Sequence, residues 1–306
     1  MARVALCFPG QGSQSPGMAR GLEGVALGRR LLTAAAEAGA DLGPAFEGEE
    51  ERLRATEVAQ PALVFTELVL AAALPGDLEI VAVAGHSIGE LAACAVAGAI
   101  EPEAAVRLSV ARGRLMAGMR EGTMAAILGL EATVLSRLCA ESGETVVVAN
   151  LNGPGQVVVS GTSAGVAAVS ALALQAGARR AVPLRVSGAF HSPLMEEAAS
   201  AFSRVVDSVA FTDARVPVVA NVDAAPVRQA EAIRDRLRRQ MISPVDWTGS
   251  VRRMVELGAE HLVEVGPGGV LTGLARRIAP EVRALTVDSL LAASILRERL
   301  GEAGGR

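Results

Sequence analysis

The stretch Leu78–Gly85, LEIVAVAG, is a continuous apolar run rich in β-branched residues. It is cut short by His-Ser-Ile-Gly, and a helical pattern follows. A strand with no polar side has both faces covered, which is the habit of a parallel strand inside a layered α/β domain. The rest of the chain must therefore supply helices for both faces and further strands beside it. With 306 residues, 51% of them hydrophobic and 20% charged, there is enough apolar material for a sizeable core, and disorder is excluded.

The flanking pattern agrees. RVALCF (3–8) reads as a short buried strand ending at the loop PGQGSQ. From Gly21 to about Ala73 the chain is helical and Ala-rich, with an acidic break at EGEEERLR. IGELAACAVAGAI and EPEAAVRLSVARGRLM predict two more helices, the second with Pro102 in its first turn. The middle of the chain changes character. Strand patterns at 123–130, 145–152, 156–162 and 179–187 alternate with helical ones at 131–142 and 163–177, the second capped by Gly177. That order, βαββαβ, is the ferredoxin-like split unit. Residues 122–187 thus read as a small subdomain inserted into a larger α/β domain made of 1–121 and 188–306. Beyond it come a helix from Pro193, a strand at 216–222, an Arg-rich helix, a strand at 261–266, and a last helix after GPGG.

Several function classes drop out on charge and composition. The net charge is -4, which offers no general attraction to nucleic acid or an anionic membrane. Cys7, Cys94 and Cys139 are odd in number and far apart, so they build neither a disulfide framework nor a metal site, and a reducing cytoplasm is the expected setting. The N-terminus lacks the long apolar core of a signal peptide. The longest uncharged region, 145–178, is broken by Asn, Pro and Gly and does not read as a membrane span.

Strand, then G-H-S-I-G, then helix is the setting of a nucleophile elbow, in which Ser87 would sit on a sharp turn with its hydroxyl at a helix N-terminus. The plain alternative is a Gly-bounded turn carrying an incidental serine. A serine nucleophile needs a base, and the chain has three histidines. His86 adjoins the serine and is read as a packing residue, and His261 opens an apolar strand. His191, in the non-periodic SGAFHSPLM, is the candidate base by elimination.

The chain also carries FPGQGSQ (8–14), QPAL (60–63), GHSIGE (85–90), ARGRLM (111–116), NLNGPGQVVVSG (150–161), AFHSPLM (189–195), RQMISPVDW (239–247) and VGPGGVLTGL (265–274). In this order and spacing they resemble the malonyl-CoA:acyl carrier protein transacylases and the related acyltransferase domains of polyketide synthases. The resemblance runs over nearly the whole chain. It implies a hydrolase-like large domain with a parallel sheet and a ferredoxin-like insert. It also implies transfer of a malonyl group from malonyl-CoA, through a malonyl ester of Ser87, to the phosphopantetheine thiol of an acyl carrier protein, for fatty-acid or polyketide synthesis. No cofactor or metal is expected to be bound, and the protein is expected to act as a monomer.

Residue by residue, the resemblance makes His191 the base, oriented by the backbone carbonyl of Gln240 where other serine enzymes use a carboxylate. The backbone N–H groups of Gln11 and Ile88 become the oxyanion donors. Arg112 becomes the partner of the substrate carboxylate, and its chemistry suits that role. An isolated buried carboxylate is very costly, and a guanidinium fork binds one bidentately while staying charged. Without the resemblance, Arg112 would be read like its neighbours Arg107 and Arg114, as a solvated helix residue. Phe190, just before the base, is the residue that accompanies malonyl selectivity; on packing grounds alone it is a core ring. GPGG lacks the Lys-Ser/Thr of a phosphate loop. Arg234, Arg236, Arg238, Arg239, Arg252 and Arg253 read as a solvated helix face or as a landing patch for an acidic carrier protein. The competing readings are a serine esterase or thioesterase with the same Ser-His pair, and a non-catalytic module that kept the fold.

Overall fold

The computed structural model describes residues 2–301. Among the described residues ten strands form two sheets. In chain order they are β1 (Arg3–Phe8), β2 (Glu79–Gly85), β3 (Thr123–Leu128), β4 (Val146–Gly153), β5 (Gln156–Gly161), β6 (Arg180–Pro183), β7 (Val218–Val219), β8 (Pro226–Val227), β9 (His261–Val265) and β10 (Arg283–Val287). The larger sheet runs β10-β9-β1-β2-β7-β8 and is parallel except for the edge pair β7 and β8. The smaller runs β4-β5-β3-β6, antiparallel throughout, which is the strand order of a ferredoxin-like split unit. The protein is thus a mixed α/β fold with one mainly parallel and one antiparallel sheet.

The central strands are buried on both faces, as LEIVAVAG requires. Val4, Leu6 and Phe8 of β1, with Val83 of β2, pack into a core shared with the helices Ala26–Glu37, Thr56–Ala72, Gly89–Val96, Pro102–Gly118 and Glu196–Asp207. Ala5, Cys7, Ala82 and Ala84 point the other way. There they meet Trp247, Val251 and Met254 of the helix Trp247–Glu256 and Leu271 and Leu274 of the helix Val270–Ile278. The small sheet has its own core, in which Ile127, Val157 and Val159 lie against Leu135 and Val169 of its two helices. Met124 and Val158 on its other face join the main core. β4 is stitched to the larger part by Val245 N–H donating to the Ala149 carbonyl at 2.8 Å and Leu151 N–H to the Val245 carbonyl at 2.9 Å.

Three expectations need correcting. The strand expected at 179–187 ends at Pro183: after a last bond from the Leu184 N–H to the Met124 carbonyl at 2.9 Å the chain leaves the sheet and runs without regular structure to residue 192. The strand expected at 216–222 pairs only at Val218–Val219: Pro217 has no N–H to give, and Asn221 turns away into side-chain hydrogen bonds. The chain does not end with the helix after GPGG. β10 and the short helices Leu290–Ser294 and Leu296–Gly301 follow, and β10 forms one edge of the larger sheet. Among the described residues no helix is long and apolar enough to cross a membrane.

One core residue is out of keeping with its surroundings. Glu67, on the helix Thr56–Ala72, is fully buried, and among the described residues neither carboxyl oxygen has a hydrogen-bond partner. Glu264 on β9 instead accepts from the Leu271 and Thr272 N–H groups at 3.0 and 2.7 Å, capping the helix Val270–Ile278. Burial, and after it the charge of Glu264, holds the Glu67 carboxyl well above its usual range, so the folded protein keeps a proton there. The unfolded chain releases that proton above about pH 4.5, so stability falls as pH rises from there toward the folded pKa, by up to about 1.4 kcal/mol per pH unit. Glu67→Met is therefore expected to raise the unfolding temperature, and to raise it more at pH 8 than at pH 5. An equal gain at both pH values in thermal unfolding would show that Glu67 is not a buried acid.

Candidate active site

The site lies at the C-terminal ends of β1, β2 and β7, where an open parallel sheet leaves room for a ligand. β2 ends at Gly85, and the chain turns through His86, Ser87 and Ile88 into the helix Gly89–Val96. The turn is so tight that a Cβ on Gly85 would come within 1.9 Å of the Gly89 carbonyl carbon. Ser87 has φ of 52°, in the left-handed region that side chains other than Asn and Asp seldom occupy. Asn221, just past β7, holds the strained turn in place. Its Oδ1 accepts from the Ser87 N–H at 2.7 Å, and its Nδ2 donates to the Gly85 carbonyl at 2.6 Å.

His191 arrives from the segment after β6 and is also left-handed, with φ of 57°. Ser192 fixes the turn by donating to the Ala189 carbonyl at 2.6 Å and accepting from the Leu194 N–H at 3.3 Å. The imidazole Nε2 lies 2.7 Å from Ser87 Oγ. Nδ1 faces two carbonyls, Gln240 at 3.0 Å and Ser243 at 3.1 Å, so the ring proton sits on Nδ1 and Nε2 is left to accept from the serine. Burial and the neighbouring Arg112 cation push the imidazole down to about 3, so it is neutral across the working pH range.

Arg112, on the helix Pro102–Gly118, is 1% exposed. Its Nη1 donates to Gln60 Oε1 at 3.0 Å, and its Nη2 donates to Gln240 Oε1 at 2.8 Å and to Ser87 Oγ at 3.1 Å. Among the described residues no carboxylate pairs with it directly, and its Nε has no partner. Burial pushes it down to about 10, still a cation at neutral pH. Arg112, Gln60, Ser87, Ile88, Gln11 and Phe190 line one cavity of about 100 Å³. Among the described residues, neither the Gln11 nor the Ile88 backbone N–H has an acceptor within the protein. All seven residues singled out from the sequence therefore meet around the Ser87 hydroxyl: six line the cavity or touch the serine, and Gln240 touches His191 and Arg112.

His86 is half-buried on the wall of the same cavity, but its ring is engaged away from the serine, with Nε2 2.8 Å from Asn152 Oδ1 and the ring beside Trp247, in the packing role its place in sequence suggested. The Arg-rich helix is mostly occupied by local ion pairs: Arg234 with Glu231, Arg236 with Asp223, Arg238 with Asp207, and Arg239 with Asp235. Sequence reasoning missed Asn221, Glu90, Ser243 and the side-chain amide of Gln240. For Asn221 a signal exists, since a lone polar residue at the C-terminal end of a buried strand is where α/β sites draw their groups.

A serine on a strand-to-helix turn, bonded to a neutral histidine and set beside a buried cation, is the equipment of serine-dependent acyl chemistry. Residues 6–292 match the family model described as acyl transferase domain, and the chain belongs to that family. It is 41% identical over 300 residues to the malonyl CoA-acyl carrier protein transacylase of Bacillus subtilis (strain 168), covering 94% of each chain. It is 41% identical over 310 residues to that of Escherichia coli (strain K12), covering 96% of this chain and 99% of the relative. Among solved structures, the malonyl CoA-acyl carrier protein transacylase of Coxiella burnetii superposes with a TM-score of 0.91 at 33% identity, covering 98% of each chain. A type II PKS acyl-carrier protein in complex with its malonyl-transacylase provides a second match, with a TM-score of 0.90 at 36% identity, covering 97% of this chain and 100% of that one.

Proposed function

We propose that this protein is a malonyl-CoA:acyl carrier protein S-malonyltransferase working through a malonyl ester of Ser87. The observation that carries this reading is Arg112, a buried cation whose Nη2 lies 3.1 Å from the nucleophilic oxygen. A neutral acyl group would leave that charge without an anion, whereas a malonyl group brings one at the right distance from its thioester carbon. An esterase or thioesterase acting on uncharged acyl groups has no use for it.

In the first half-reaction Ser87 Oγ attacks the thioester carbon as its proton passes to His191 Nε2. The free N–H groups of Gln11 and Ile88 receive the oxyanion. Collapse expels the CoA sulfur, which takes the proton from His191, and leaves malonyl-serine. The carrier protein's phosphopantetheine thiol then attacks this ester, with His191 accepting its proton and returning it to Ser87 Oγ. The imidazolium that forms transiently donates its Nδ1–H to the Gln240 and Ser243 carbonyls. Phe190, 5% exposed on the cavity wall, takes the space that an α-methyl branch on the acyl group would need. One methyl sets a preference of about 1–3 kcal/mol.

In this reading the large domain is hydrolase-like and comprises 1–121 and 188–306, with 122–187 as the ferredoxin-like subdomain that roofs the cavity. The enzyme meets its carrier protein transiently, as a monomer in the cytoplasm, with no bound cofactor. The names of the relatives and the carrier-protein complex among the similar structures support the substrate and the partner. Incubation with malonyl-CoA is expected to add one malonyl mass at Ser87, and phosphopantetheinyl carrier protein to remove it. Ser87→Ala should take up none. A native protein that acquires no adduct refutes the transferase; an adduct lost to water as fast without carrier as with it identifies a thioesterase.

A further inference from the structure

A fully buried cation needs a counter-charge nearby before any substrate arrives. Arg112 has none in direct contact: its acceptors are the amide oxygens of Gln60 and Gln240 and the Ser87 hydroxyl. The nearest anionic group is one amide further on. Gln240 accepts from Arg112 with Oε1 and donates from Nε2 to Glu90 Oε2, and also to the Ser87 carbonyl at 2.9 Å. This amide has one workable orientation, because turned over it would set its NH2 against the guanidinium and its oxygen against the carboxylate. Glu90, in the first turn of the helix that follows the nucleophile, is 2% exposed, and its other oxygen accepts from the Asn221 N–H at 3.3 Å.

We propose that Glu90 is a positioning residue for Arg112, acting through the side-chain amide of Gln240 as its resident counter-charge. We infer that a substrate carboxylate on reaching Arg112 takes over that role while Glu90 binds a proton from solvent. The inference rests on the malonyl-transfer reading. Its basis is charge balance in a buried site. The empty site holds one guanidinium and one carboxylate. Adding the malonyl carboxylate without a proton would leave a buried excess of one negative charge, and protonation of Glu90 restores neutrality. The other charged and titratable groups around Glu90 do not replace it. Asp223 adds further negative charge, the Cys94 thiol is pushed well up by burial and stays neutral, and His191 is held neutral beside Arg112. Burial raises the Glu90 carboxyl to about 7, against the opposing pull of Gln240, Asn221 and Arg112, so it can exchange a proton at neutral pH.

Acylation is itself proton-neutral near pH 7. The Ser O–H and the thioester C–S bonds break, an ester C–O bond forms, and the proton leaves on the CoA thiol, which remains largely protonated there. Native protein mixed with malonyl-CoA at pH 7.5 in weak buffer, with an indicator dye, is expected to take up about 0.5 proton or more per malonyl-serine formed. The adduct is counted by mass in the same samples, and acetyl-CoA, which has no second carboxylate, should give no uptake. In Glu90→Gln the uptake per adduct should fall to the acetyl level. The native KM for malonyl-CoA should rise with pH above 7, by at most about tenfold per unit, and that rise should vanish in the variant. Adduct formation without proton uptake in the native protein overturns the proposal whether or not the variant folds, and so does uptake that persists in Glu90→Gln. A native protein that forms no adduct fails the malonyl reading itself.

Discussion

Arg112→Ala is expected to lower kcat/KM for malonyl-CoA by about 10²–10⁴-fold, the kinetic equivalent of leaving one partner of a buried ion pair alone at roughly 3–5 kcal/mol. The carboxylate would enter a cavity with nothing to bind it except the Gln60 and Gln240 amides that Arg112 now occupies. The loss should be selective: acetyl-CoA, which brings no charge, should lose little, so the malonyl-to-acetyl ratio falls by most of the same factor. Arg112→Lys should recover only a part, because an ammonium cannot span Gln60, Gln240 and Ser87 Oγ as the guanidinium fork does. Steady-state kinetics with both thioesters test this. An unchanged ratio would remove Arg112 from substrate recognition.

His191→Ala should lower kcat/KM for malonyl-CoA by about 10³-fold, within the usual worth of a positioned general base. The pH profile of the native protein carries a second part of the same expectation. An exposed histidine with the ordinary value of 6.5 would be protonated, and inactive as a base, in about 97% of molecules by pH 5. His191 is buried against Arg112 and pushed down to about 3, so protonation is opposed and the base stays neutral as pH falls. The free-enzyme profile, read as kcat/KM, should therefore show no acid limb near 6.5. A limb at that pH would mean that His191 is not the base, or that its neighbours do not hold it as the structure does.

The residues that carry local pattern were legible in the sequence. The burial of β1 and β2 on both faces, the Pro-initiated helix Pro102–Gly118 and the βαββαβ order all follow from patterns along the chain. Ser87 was legible because its strand, its turn glycines and its helix are contiguous. The helix Trp247–Glu256 and the strand β10 were not. The first follows Ser-Pro-Val-Asp and carries Thr and Gly in its opening turn, and the second is a five-residue strand at a sheet edge that begins with an exposed Arg and has a Thr inside it. Asn221 and Glu90 were hidden for another reason. Asn221 meets Ser87 across 134 positions, and Gln240 meets Glu90 across 150, so no window of sequence contains either partnership. Their roles come from strand order, which places β7 beside β2. His191 and Arg112 are equally remote from Ser87 but belong to a short inventory: one is among three histidines, and the other stands in a motif.

Gln240 contributes two things to this site, a main-chain carbonyl for His191 and a side-chain amide that joins Arg112 to Glu90 and to the Ser87 carbonyl. A carboxylate that orients a catalytic histidine is lost to a single codon change, whereas a backbone carbonyl survives every substitution of its residue short of a change in chain path. With the Ser243 carbonyl beside it, the base is aligned by groups that mutation cannot delete. A change of side chain at position 240 would therefore alter the setting of Arg112 and the support of the Ser87 turn, yet leave in place the carbonyls that align His191. The orientation of the imidazole is thus insulated from side-chain change at the very residues that fix it.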